Sequence, residues 1–210
     1  MTVAILFSIT FVAAAITILA DYRGSRSIVY FFRPLTMLFI IGIALLGERG
    51  AGRQYQITVI GGLLFSLAGD IFMMLRRKRF TAGLAAFLAA NLFYIRAFLM
   101  GLRLQFSTRP FIPLLIYAFA MVWILYPRLG KMKIPVMIYV LVIISMVRLA
   151  AERYLQLHET GPFLAFLGAV FFMFSDTVLA FNRFVRPFKA AQAIILSTYF
   201  LGQCLIASSV

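Results

Sequence analysis

The run Gly61-Gly62-Leu63-Leu64-Phe65-Ser66-Leu67-Ala68-Gly69-Asp70-Ile71-Phe72-Met73-Met74 is apolar apart from Ser66 and Asp70. An ionisable side chain in such a segment costs about 2.5 kcal/mol or more to place at mid-membrane, so by default it marks a functional site with a partner or a water-filled cavity. A second run repeats the design: Gly168-Ala169-Val170-Phe171-Phe172-Met173-Phe174-Ser175-Asp176-Thr177-Val178-Leu179. Asp70 and Asp176 are therefore the first candidates for chemistry.

Outward from these two runs the chain stays apolar. With 64% hydrophobic and 12% charged residues and a mean hydropathy of +1.02, it has the composition of a polytopic membrane protein and no stretch long enough for a separate soluble domain. Residues 1–20 lack a basic leader and read as the first span instead of a removable signal. Apolar windows separated by short charged or Gly/Pro-bearing breaks predict one all-α domain over 1–210, a bundle of eight transmembrane helices at 2–20, 28–47, 57–75, 81–101, 110–127, 134–151, 162–182 and 188–208. Short connections predict that consecutive helices are antiparallel neighbours.

Most of the 20 Lys and Arg fall in or beside the odd-numbered loops, among them Arg23, Arg26, Arg33, Arg76, Arg77, Lys78, Arg79, Arg128, Lys131, Lys133, Arg183, Arg186 and Lys189. The positive-inside rule then places the odd loops in the cytoplasm and both termini on the outer side of a cell or inner membrane. The net charge of +14 is absorbed by this asymmetry and by anionic lipid headgroups. These charges interrupt hydrophobic spans and build no basic domain, so nucleic acid is not expected as a partner. The single cysteine, Cys204, has no Cys or His at ligand spacing, so neither a metal nor another cofactor is expected.

In this orientation helices three and seven run the same way. Asp70 lies six residues before Arg76 and Asp176 seven before Arg183, so both carboxylates sit roughly 9–10 Å inward from the basic line and are expected to face one cavity. Other polar residues on the spans are candidates to join them: Arg33, Ser66 one turn before Asp70, Asn91, Tyr94, Ser175, Tyr199 and Gln203. Each uncharged member can equally be a hydrogen-bonded joint between helices, worth about 1 kcal/mol or less. Gly61, Gly62, Gly69 and Gly83 are expected where helices approach closely.

The run Leu64 to Asp70, followed by Arg79-Phe80-Thr81-Ala82-Gly83-Leu84-Ala85-Ala86-Phe87 and Asn91-Leu92-Phe93-Tyr94-Ile95, resembles the signature of the lysoplasmalogenase family, the YhhN-like membrane proteins. Gly168-Ala169 to Asp176, Asn182-Arg183-Phe184 and Thr198-Tyr199-Phe200-Leu201-Gly202-Gln203 are similar to its second block, and Arg33-Pro34-Leu35-Thr36 to its element in helix two. The resemblance spans helices two to eight. It departs at Asn91, where the family pattern calls for His.

The resemblance implies a hydrolase that cleaves the vinyl ether bond of lysoplasmalogens to a fatty aldehyde and a glycerophospho-base. Such cleavage begins with protonation of an alkenyl carbon and passes through an oxocarbenium-like cation captured by water. It calls for an acid, a negative charge and water, the division of labour that paired carboxylates use at glycosidic centres. Asp70 is read as the acid and Asp176 as the base, an order the residues themselves leave open. The lysophospholipid would lay its chain among Phe and Met side chains and meet Arg33, Arg76, Arg79 or Arg183 with its phosphate, with Ser66, Asn91, Tyr94, Ser175, Tyr199 and Gln203 lining the site. A small-molecule or lipid transporter and an intramembrane aspartyl protease also place acids in spans. Lipid turnover by purified protein separates the enzyme from the transporter, and peptide cleavage identifies the protease.

Overall fold

A computed structural model of the protein describes residues 2–47, 50–75, 79–103 and 111–210. The basic stretch Arg76, Arg77 and Lys78, on which the expected orientation partly rests, lies outside the described residues, as does residue 110, the expected start of helix five. The described chain is helical: α1 Thr2–Tyr22, α2 Arg26–Leu46, α3 Arg53–Met74, α4 Phe80–Leu99, α5 Phe111–Leu125, α6 Lys133–Leu157, α7 Thr160–Phe184 and α8 Ala191–Ala207, with 3₁₀ turns Tyr126–Arg128 and Gly130–Met132 between α5 and α6. Among the described residues seven spans are long and apolar enough to cross a membrane, and α8 is a shorter apolar helix of 17 residues. Large apolar side chains such as Phe11, Phe119, Trp123 and Ile134 point outward. Helices that satisfy their own backbone and present an apolar exterior are what a bilayer demands.

The helices close a ring. Around it α1 packs on α2, α2 on α3, α3 on α4, α4 on α6, α6 on α7, α7 on α8, and α8 returns to α1 while also touching α2 and α3. α5 stands outside the ring against α6 and α7, and only 11% of its span is buried, against 39% for α6. The simple expectation that each helix neighbours the next therefore holds around the ring except where α4 passes α5 and pairs with α6. The main core is built from buried side chains of α2, α3, α4, α6, α7 and α8, including Met37, Leu63, Phe98, Met146, Phe172 and Leu196.

Most boundaries shift by a few residues from the hydropathy reading, the most at the end of α6. α6 continues past Ala151 to Leu157, carrying Glu152 and Arg153 inside the fold. Arg153 lies over the Tyr55 ring at 4.1 Å and Gln156 exchanges hydrogen bonds with the Arg103 backbone while also donating to Glu152, so partners outside the helix sustain a charged turn that hydropathy alone would end. The helix stops at His158, which takes a left-handed conformation (φ 51°). Within α2, Pro34 removes one backbone donor beside Arg33.

Glycine permits close helix contacts at Gly62, where one was expected, and at Gly168 and Gly202, where none was. On α3, a Cβ at Gly62 would lie 2.3 Å from the Tyr94 ring of α4, so the absent side chain lets that ring lie flat on the helix. Gly168 of α7 and Gly202 of α8 meet backbone to backbone: a Cβ on Gly168 would stand 2.7 Å from the Gly202 carbonyl oxygen. These contacts fix the register of the helices that carry the polar site.

Candidate active site

Asp70 lies near the end of α3 and is fully buried. Its Oδ1 accepts two bonds from Arg33 of α2, from Nε at 2.9 Å and Nη2 at 2.5 Å, and its Oδ2 accepts from the Tyr199 hydroxyl of α8 at 2.9 Å. The carboxylate is thus fully engaged, and its charge offsets that of a nearly buried guanidinium. Behind it a second group of polar side chains continues into the bundle. Tyr94 donates to Gln203 Oε1 at 2.6 Å, and Gln203 Nε2 donates to Ser66 Oγ at 3.1 Å. Ser66, Tyr94 and Gln203 lie away from the cavities described below and join α3, α4 and α8.

Asp176 occupies different surroundings. One oxygen, Oδ2, accepts a hydrogen bond from Tyr139 of α6, while Oδ1 has no hydrogen-bond partner among the described residues. It lines a cavity of about 710 Å³ with Arg33, Ser175, Asn182, Arg183, Gln192 and Tyr199 among its polar walls and Phe80, Phe87, Leu179 and Phe184 among its apolar ones. That volume suits a small amphiphile. Ser175 donates to the Ile195 carbonyl at 2.9 Å, tying α7 to α8 beside the acid. Arg183 lies over the Phe80 ring at 3.9 Å.

An apolar crevice opens from the same cavity. It runs between α4, α5, α6 and α7, is lined by Leu84, Met121, Leu125, Val136, Val140 and Ile143, and shares Asp176, Phe80, Phe87 and Phe184 with the polar cavity. Asp176 therefore stands at the junction of a polar chamber and an apolar slot. At this junction α5 is fastened to α7 by a hydrogen bond between the Tyr117 and Thr177 hydroxyls.

The residues picked out from the sequence thus separate into two groups. Arg33, Ser175, Asp176 and Tyr199 line the cavity, whereas Asp70 stands behind Arg33 and Tyr199. The two acids share one end of the bundle and lie within Coulombic reach, but no hydrogen bond links them among the described residues. They do not both face the cavity as expected, because Arg33 and Tyr199 intervene. Asn91 is fully buried on α4, its amide approaching the Tyr139 hydroxyl, and neither polar atom makes a hydrogen bond of regular geometry among the described residues. Tyr139 was not legible as a site residue: Ile138-Tyr139-Val140 reads as ordinary span, and nothing local points to a partner on another helix. Among the described residues no group of three or more His, Cys, Asp or Glu could hold a metal ion.

The model of the YhhN family matches residues 28–210. The chain is 30% identical over 198 residues to the uncharacterized membrane protein YhhN of Escherichia coli O6:H1, covering 94% of each chain. It is 33% identical over 161 residues to lysoplasmalogenase TMEM86B of Sus scrofa, covering 76% of this chain and 66% of that protein. Against lysoplasmalogenase TMEM86A of Homo sapiens it is 33% identical over 159 residues, or 70% of this chain and 62% of the relative. No solved structure matches. The match begins within α2 and takes in Arg33, Asp70, Tyr139, Asp176 and Tyr199: this integral membrane protein belongs to the YhhN family.

Proposed function

We propose that the protein is a membrane hydrolase that cleaves the vinyl ether bond of a lysoplasmalogen, with Asp176 as the carboxyl group that touches the substrate. The observation that carries this reading is the position of Asp176 where a polar chamber meets an apolar crevice. A single-chain vinyl ether lipid has the same layout, with the reacting C=C–O group lying between glycerophosphate headgroup and hydrocarbon tail. With the headgroup beside Arg33 and the tail directed into the crevice, which at about 50 Å³ must widen between α5 and α6 to receive it, the vinyl ether falls at Asp176. The names of the two mammalian relatives favour the same activity.

The chemistry follows from this placement. Asp176 in its protonated form gives its proton to the alkenyl carbon remote from oxygen, and the electron pair of the C=C bond forms the new C–H bond. The adjacent carbon becomes an oxocarbenium ion. Water adds to it as the Asp176 carboxylate accepts a proton from that water, which restores the acid. The resulting hemiacetal breaks its C–O bond to the glycerol, releasing aldehyde and glycerophospho-alcohol. Tyr139 holds one Asp176 oxygen and leaves the other for the substrate. Asp70 acts at a distance by fixing Arg33 and Tyr199 in the cavity wall. This assigns the acid differently from the order read from the sequence, because Asp70 is sealed behind its partners.

Purified protein incubated with 1-alkenyl lysophospholipids, their 1-alkyl counterparts and 1-acyl lysophospholipids tests the proposal by mass spectrometry. Fatty aldehyde and glycerophospho-base from the alkenyl lipid alone are expected. Intact alkenyl lipid, or equal release from the acyl lipid, rules the reading out.

A further inference from the structure

The cavity is continuous with a mouth of about 520 Å³, sharing Arg33, Met73, Leu75 and Gln192 with it and adding Asp21, Arg26 and Tyr30. Asp21 is the only acid in residues 1–47. It lies in the last turn of α1, where the helix carbonyls already gather partial negative charge and a carboxylate is disfavoured. Its carboxylate makes no hydrogen bond among the described residues, although Arg33 is within Coulombic reach. Beside it, the Tyr30 hydroxyl donates to the Met74 carbonyl, which fixes the ring at the mouth. A carboxylate and an aromatic ring form the surroundings that a substituted ammonium prefers. Arg26 and Arg33 in the same mouth supply the cations that a phosphate prefers.

We infer that the mouth is a subsite for a zwitterionic phosphobase headgroup, in which Asp21 and the Tyr30 ring receive the ammonium and Arg33 receives the phosphate. The inference rests on the proposed lysolipid hydrolase for the identity of the tail, and it selects phosphocholine and phosphoethanolamine lipids over those ending in a bare phosphate. An anion-only site would gain from having no carboxylate at this position. Asp21 weakens the attraction for a phosphomonoester and strengthens that for a phosphobase, so it acts as a specificity determinant away from the reacting bond.

Binding distinguishes this subsite from the hydrolysis itself. A non-cleavable 1-alkyl glycerophosphocholine and the matching 1-alkyl glycerophosphate are titrated onto the full-length protein in nanodiscs, with wild type, Asp21→Asn, Asp21→Glu and Tyr30→Leu compared. The wild type should favour the phosphocholine lipid. Asp21→Asn should weaken that lipid about fivefold while leaving the phosphate lipid unchanged or tighter, Asp21→Glu should restore most of the preference, and Tyr30→Leu should weaken the phosphocholine lipid selectively. Equal effects on both lipids, or a wild-type preference for the phosphomonoester, overturn the inference. Failure of vinyl ether turnover with this binding pattern intact would count against the hydrolase and leave the subsite standing.

Discussion

At the scale of single residues the two aspartates, so alike in sequence, hold different posts. Asp70 has three hydrogen bonds and a guanidinium counter-charge, whereas Asp176 has one hydrogen bond and a cavity. Their variants should therefore fail differently. Asp176→Asn is expected to lower turnover by about 10²–10⁴-fold, the usual contribution of a general acid–base group, with thermal stability close to wild type. Asp70→Asn leaves Arg33 charged and nearly buried with no carboxylate, a loss on the order of 3 kcal/mol that should appear as a lowered melting temperature as well as lost activity. Equal losses of stability in the two variants would contradict the division of roles. Tyr139→Phe removes only the hydroxyl that holds Asp176, so turnover should fall about tenfold or more while the substrate Kd changes little. Tyr139 could not be found from the sequence, since a tyrosine in a span is ordinarily packing or an interfacial anchor. Its partnership with Asp176 exists only because α6 lies beside α7.

At the scale of elements, the site depends on α7 and α8 lying unusually close. Ser175 of α7 reaches the Ile195 carbonyl of α8 on the seam where Gly168 and Gly202 let the two backbones touch. In Gly202→Ala the new methyl would meet Gly168 O and Phe172 N at 2.9 Å, and backbone atoms cannot swing aside. The helices must separate. Overpacking of this kind costs about 1–3 kcal/mol, and the variant should melt several degrees lower and lose activity in proportion. Gly24→Ala is a control for glycine replacement without steric crowding, since a Cβ there meets nothing within 4 Å; its φ of +72° predicts a smaller, backbone-only cost. Gly61, Gly62, Gly69 and Gly83, though not Gly168 or Gly202, were legible as points of close approach. Which helix each one met was not, because small residues show that something comes near without naming the partner.

For the whole molecule, one end of the bundle holds the cavity, its mouth and the loops from α1 to α2 and α7 to α8. The distribution of Lys and Arg predicts that this end faces the cytoplasm. Reporters that signal only in the cytoplasm, fused after Val210 and within the α7–α8 loop, should be silent at the first site and active at the second. The reverse pattern would turn the cavity toward the outer leaflet and change the pool of lipid it can draw on.

Hydropathy and the spacing of breaks determined that the chain is a bundle of membrane helices, because insertion depends on the apolarity of each segment taken by itself. The cost of burying charge likewise singled out Asp70 and Asp176 as side chains that need a partner or a cavity. Tertiary structure decided the rest: the ring that leaves α5 outside, the extension of α6 through Glu152 and Arg153, and the separation of one acid behind Arg33 and Tyr199 from the other at the cavity wall. The physical reason is that burial energy is a property of a segment. A hydrogen bond between Tyr139 and Asp176, or an ion pair between Arg33 and Asp70, is a property of two helices whose contact no single segment encodes.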